Sequence, residues 1–188
     1  MTSSSLAETL QPNPVLARRK RAAARAMPVA TEPCELLSLE PRTVLTMRFR
    51  STASDLPRGF FHRYAAMMQY SSEHGQAPAS EPFAIYDNND GNAADVEAGF
   101  TIQPGMPASS DMRVVELPAM TVATLTHVGP YSKIEPTYFK LLEWMHERGL
   151  TRAGRFMEVY LNSPVDTTDA ELRTQIMVPV TQPSANDQ

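Results

Sequence analysis

From residue 34 onward the chain runs twice through the same order of elements, and any fold has to seat both copies. The first copy opens with ELLSLEPRTVLTMRF, whose β-branched and apolar residues predict an extended strand. Asp55 then precedes LPRGFFHRYAAMMQYSSEHG, where Phe60, Tyr64, Met67 and Met68 fall at helical spacing. Pro57 suits an early helical position and Gly75 suits the stop. PFAIYD reads as a short strand, NNDGNAAD as a polar turn and VEAGFTI as the returning strand. In the second copy VVELPAMTVATLTHVG is the strand and SKIEPTYFKLLEWMHERG the helix. Pro136 lies near its start, Gly149 ends it, and Phe139, Leu142 and Met145 share a face with Tyr138 and Leu141. FMEVYLNSP and ELRTQIMVPV supply the last two strands, with VDTTDA as the turn between them.

Set side by side, AIY at 84–86 falls on EVY at 158–160, and VEAGFTI at 96–102 falls on LRTQIMV at 172–178. The offsets, 74 and 76 residues, differ by one small insertion or deletion. The expected class is therefore α+β: two pseudo-symmetric strand-helix-strand-strand repeats, with antiparallel sheets each covered by its own helix. Repeat one spans 34–102 and repeat two 111–180, joined by QPGMPASSD, a stretch rich in Pro, Gly and Ser. Neither copy has enough apolar surface for a core alone, so 34–182 counts as one domain with a short tail at 183–188. The junction of the halves is the default place for a ligand cleft.

Residues 1–33 mix Ser, Thr and Pro with ARRKRAAARA and carry few large apolar groups, which predicts a solvated, disordered basic tail. A short basic helix that touches nucleic acid or lipid, or an organelle transit segment, are the other readings of that composition. Five cations against Glu8 and Glu32 give this tail +3, so a total of −4 leaves −7 for the rest. An acidic body is a poor partner for phosphates, and no direct nucleic-acid binding is expected. It suits a cationic or neutral small ligand better. No run approaches the roughly 18 apolar residues of a membrane span. One cysteine, Cys34, excludes an intramolecular disulfide and a cysteine-rich zinc site, and a reducing cytoplasm is the expected home. Four scattered histidines predict no metal, and the lack of a glycine-rich phosphate loop predicts no nucleotide cofactor.

Glu158 stands out because FMEVYL is otherwise apolar. Alternation puts Met157, Val159 and Leu161 on one face and Glu158 with Tyr160 on the other. A carboxylate in apolar surroundings is expensive unless it meets a cation or donors, so the position is either an ordinary solvated one or a ligand site. Tyr86, as repeat mate of Tyr160, should point at an equivalent place. Tyr131 follows GlyPro at a strand-to-helix corner, and Trp144 sits on the second helix; each ring either packs in the core or stacks on a flat ligand. Tyr64 and Tyr138 have weaker claims. Glu97, in VEAGF, shares a face with Gly99, whose missing side chain would leave room for a ligand; a surface position is the alternative, and its repeat mate is Arg173. His127 reads as a satisfied structural residue, since no Ser or Cys nucleophile motif accompanies it.

The strings LPAMTVATLTHVGPY, MEVYLNSP and ELRTQIMVPV, with HxGPY at 127–131 and ExY at 158–160, resemble the GyrI-like small-molecule-binding domain. That domain also forms the effector-binding half of some AraC-type and MerR-type regulators. The resemblance covers 34–182, and without a helix-turn-helix segment it points to the stand-alone form. It implies that Glu158 is the central acid for hydrophobic, often cationic, aromatic compounds, with Tyr160, Tyr86, Tyr131, Trp144 and Glu97 around them. Sequestration of such compounds is the first functional reading. A second is hydrolysis of cyclopropane-bearing electrophiles, with Glu158 and Tyr160 catalytic. A third is a protein-binding, gyrase-modulating role. Oligomeric state is left open.

Overall fold

A computed structural model describes residues 32–88 and 93–181. Residues 1–31 of the expected basic tail, residues 89–92 of the first-repeat turn and the last seven residues lie outside the described residues. The elements are β1 (Glu35–Leu39), β2 (Arg42–Ser51), α1 (Leu56–Glu73), β3 (Phe83–Asn88) and β4 (Ala94–Thr101) in the first half. The second half holds β5 (Arg113–Leu117), β6 (Met120–Val128), α2 (Glu135–Glu147), β7 (Thr151–Arg152), β8 (Met157–Tyr160) and β9 (Arg173–Thr181). The helices fall where their apolar spacing put them. Gly75 and Gly149, just past their ends, take the left-handed backbone at φ 70° and 64°.

The opening strand of each repeat is broken in two. Pro41 lies in the gap between β1 and β2, and Pro118 in the gap between β5 and β6. Proline has no N–H to give a ladder, so the chain leaves one partner there and finds another. β1 pairs with β6 of the other half, and β5 pairs with β2. The halves therefore exchange their first strands.

Instead of two sheets there is one, in the order β1-β6-β9-β8-β3-β4-β2-β5, with β7 appended to β9. Every pairing is antiparallel. Replacing each strand by its repeat mate and reversing the order returns the same sheet. The pseudo-two-fold passes between β3 and β8, where Ala84 lies directly opposite Glu158, its own mate. The registers also correct the alignment. Tyr86 pairs with Val96 while Tyr160 pairs with Thr174, so β9 matches β4 two residues later than the sequence reading had it. The mate of Glu97 is thus Gln175, not Arg173.

Both helices lie against one face of the sheet. Leu56 and Met67 of α1 pack on Leu45, Ala98 and Phe100. Leu141, Leu142 and Met145 of α2 pack on Leu125, Ile176 and Val178. On the opposite face Val44, Phe83, Ile85, Val122, Met157 and Met177 bury one another. The seam between the two helix-side clusters runs along β3 and β8, and the buried carboxylate on these strands is Glu158.

Candidate functional site

Glu158 is 2% exposed. Strand alternation aims it at the helices, as expected, because its cross-strand neighbours Ala84 and Ile176 both belong to helix-side clusters. Three phenols meet the carboxylate. Tyr138, projecting down from α2, donates to Oε1 at 2.8 Å. Tyr86 and Tyr160, from the adjacent strands β3 and β8, lie 3.1 and 3.0 Å from Oε2 and 2.9 Å from each other. Among the described residues no lysine or arginine forms an ion pair with Glu158. A buried charge held only by neutral donors is an unusual arrangement, since most such charges carry a counter-ion.

Aromatic rings close the space above. Phe60 of α1 stands edge-on to Tyr160 at 5.7 Å and to Tyr86 at 6.5 Å, and stacks on Tyr64 at 5.8 Å. Tyr131, from the corner before α2, meets Tyr160 edge-on at 5.9 Å. Phe60, Tyr64, Tyr131 and Tyr160 are all half-buried, so the rings form the wall between Glu158 and solvent. Burial, with the Glu158 charge adding to it, pushes the Tyr64 and Tyr160 phenols well above their ordinary range. Tyr64 is further tied to the Phe83 carbonyl at 2.6 Å. Open recesses of about 410 and 400 Å³ lie elsewhere, one between the end of β2 and the start of α1, the other beside Arg48, Asp87 and Glu97.

The corner that delivers Tyr131 is tightly specified. Gly129 sits at φ 130°, a conformation that side-chain-bearing residues rarely adopt, and its N–H bonds the Leu172 carbonyl at 2.8 Å. His127, fully buried, bridges the Pro130 carbonyl at 3.2 Å and the Thr137 hydroxyl at 2.8 Å. Burial pushes its pKa down, which favours the neutral ring of a structural residue.

Two of the expected site residues are elsewhere. Glu97 pairs across the sheet with Ile85 and Arg48, a row on the face away from the helices. There it is buried and held by Thr46 at 3.0 Å, Arg48 at 2.9 Å, Arg155 at 3.4 Å and Arg113 at 3.6 Å. Burial alone would raise its pKa, but the hydrogen bonds from Arg48 and Thr46 outweigh that and hold it below the ordinary value. Gly99 leaves no room for a ligand either: a Cβ there would lie 2.5 Å from the Leu45 carbonyl oxygen and 3.0 Å from the Phe83 ring. Trp144 packs at the rim of the α2 cluster under the Arg148 guanidinium, 4.3 Å from its ring. It lies six residues, or roughly 9 Å, along the helix from Tyr138.

Tyr86, Tyr131 and Tyr160 do gather at Glu158. Tyr138 and Phe60 join them, the first given a weaker claim from sequence and the second read only as part of the helical spacing. A signal existed for Tyr138, because a tyrosine on a core-facing helical stripe needs a buried acceptor and Glu158 is the one on its side of the sheet.

No curated protein matches the sequence. Among solved structures the chain is similar to EcmrR in a complex with DNA, at 20% identity and a TM-score of 0.71, covering 81% of this chain and 58% of that one. It is similar also to the EcmrR C-terminal domain, at 21% identity and TM-score 0.68, over 80% of this chain and 98% of that domain. A hydrolase from Listeria innocua matches at 14% identity and TM-score 0.59, over 79% and 91%. SAV2435 bound to tetraphenylphosphonium matches at 15% and 0.55, over 80% and 94%. At such identities the likeness is one of fold. The sequence itself matches the model of the GyrI-like small molecule binding domain over residues 32–181, a span that takes in all that the structure describes, and the chain belongs to that family.

Proposed function

We propose that the protein binds hydrophobic cations, with Glu158 as the countercharge and Tyr86, Tyr131, Tyr160 and Phe60 as the walls. The observation that carries this reading is a buried carboxylate held by phenols alone, while the other buried glutamate, Glu97, is ringed by arginines. A ligand cation supplies what the fold omits. Aromatic faces attract the same cation, each by about 0.5–2 kcal/mol. The rings that cover Glu158 must swing aside for a ligand to enter, and their half-buried positions at the edge of the core allow it. The similar protein SAV2435 takes tetraphenylphosphonium, a cation sheathed in four phenyl rings, which makes it a natural probe.

Calorimetric titration with tetraphenylphosphonium and with neutral triphenylphosphine oxide tests the reading. Glu158→Gln is expected to weaken the cation by about thirtyfold or more and the neutral compound by less than about threefold. Equal losses for both, or none, would sink it.

A second reading, hydrolysis of cyclopropane-bearing electrophiles, draws on the same contacts. Glu158 would orient a water, and Tyr160, 3.0 Å from it, would donate to the developing oxyanion. The similar Listeria innocua protein is called a hydrolase. Chromatographic loss of such an electrophile that disappears in Glu158→Gln would favour this reading, whereas binding without consumption would remove it.

A further inference from the structure

The pseudo-two-fold gives each site residue a counterpart in the other half; Tyr86 and Tyr160 are alike, but the other counterparts are not. Equivalent strand pairings set the correspondence: Glu35 opposite Thr124 matches Arg113 opposite Thr46, an offset of 78 residues for β1, β2 and the strands they become. The same offset carries the turns into α1 and α2. Asp55 N–H bonds the Thr52 carbonyl as Lys133 N–H bonds the Pro130 carbonyl. It also places Leu56 on Ile134 and Met67 on Met145, all four buried. By that correspondence Tyr131 replaces Ala53 and Tyr138 replaces Phe60. His127 with Thr137 then stands where the first half has Phe49 with Gly59.

The last pair does the same job by different physics. In the first half the Phe49 ring fills the space of the missing side chain, since a Cβ on Gly59 would lie 2.6 Å from it. That contact is apolar and has no preferred direction. In the second half a carbonyl oxygen can only accept, so His127 Nε2 carries the proton toward Pro130, and Nδ1 accepts from the Thr137 hydroxyl. Each of these partners immediately precedes a site tyrosine: Pro130 before Tyr131, Thr137 before Tyr138. Both bonds are directional, and both His127 and Thr137 are at most 2% exposed.

We infer that His127 is a positioning residue, which through Pro130 and Thr137 fixes Tyr131 and Tyr138 and so aims Glu158 at a bound cation. The inference rests on the cation-binding reading above. It assigns the aiming of the acid to the second half, while the first half supplies Tyr86 and the apolar wall.

Thr137→Val removes the hydroxyl at nearly constant volume, Thr137→Ser keeps it, and His127→Phe with Thr137→Gly installs the pair that the first half already uses. Each is titrated with tetraphenylphosphonium and triphenylphosphine oxide, with circular dichroism reporting the fold. Thr137→Val and the double variant are expected to lose about tenfold in cation affinity and less than about twofold for the neutral compound, with Thr137→Ser close to wild type. A folded Thr137→Val protein with unchanged discrimination between the two probes would overturn the inference, even if the double variant fails to fold. Glu158→Gln separates the two levels. If it too leaves discrimination intact, the cation-binding reading has failed. If it abolishes discrimination while Thr137→Val does not, only the positioning role of His127 has.

Discussion

Two glutamates are buried in this sheet, and the sequence reading left Glu97 either beside Glu158 in the cleft or on the surface. Alternation decides otherwise. Glu97 pairs with residues of the face away from the helices and is neutralised by arginines, whereas Glu158 faces the helices and meets only phenols. A parity error of one residue separates the two outcomes, and a lone strand of unknown register cannot reveal it. What could be read was the acid in an apolar strand and the tyrosine mates 86 and 160. What could not was Phe60, since an aromatic on a helical stripe looks the same whether it covers a ligand or a core. The buried phenols make their own prediction. Tyr64 and Tyr160 have folded pKa values raised above the ordinary value near 10. The stability they contribute is present below about pH 10 and is lost as pH rises through the folded values. Above about pH 10 the native protein should therefore show fewer phenolates by absorbance than its six tyrosines allow, and recover them in guanidinium. Full ionisation before unfolding would contradict the burial described.

At the scale of elements, the helices and the final strands of each repeat followed directly from spacing and from Gly75, Gly149, Pro57 and Pro136. The opening strands did not. Pro41 and Pro118 were read as residues within single strands, yet each marks the point at which the chain crosses to the other half. Sequence shows that a proline interrupts a ladder but not where the released segment finds its next partner. Gly99 is the element-level counterpart of that lesson, because its lack of a side chain serves strand packing. Gly99→Ala forces a Cβ against the Leu45 carbonyl in the middle of the β2–β4 pairing, which should cost about 1–3 kcal/mol of stability. A melting temperature equal to wild type would show that β2 yields more easily than its two-sided pairing suggests.

For the whole molecule, exchange of β1 and β5 means that each half contributes an edge strand to the other's sheet. The two halves also share the β3–β8 seam. Polypeptides 32–107 and 108–181, expressed separately, should each lack stable structure by circular dichroism and regain it when mixed. Independent cooperative melting of either piece would show that the exchanged strands are dispensable. A palindromic sheet of this kind is what two identical short chains would build by trading arms. In such a homodimer the axis would force identity on every pair across it, so position 84 and position 158 would be two alanines with no charge or two glutamates in mutual repulsion. Joining the copies into one polypeptide lifts that restriction. An acid on one side and an alanine on the other is a state that a gene encoding the single unit cannot specify, and the covalent link is what made a one-charge site heritable.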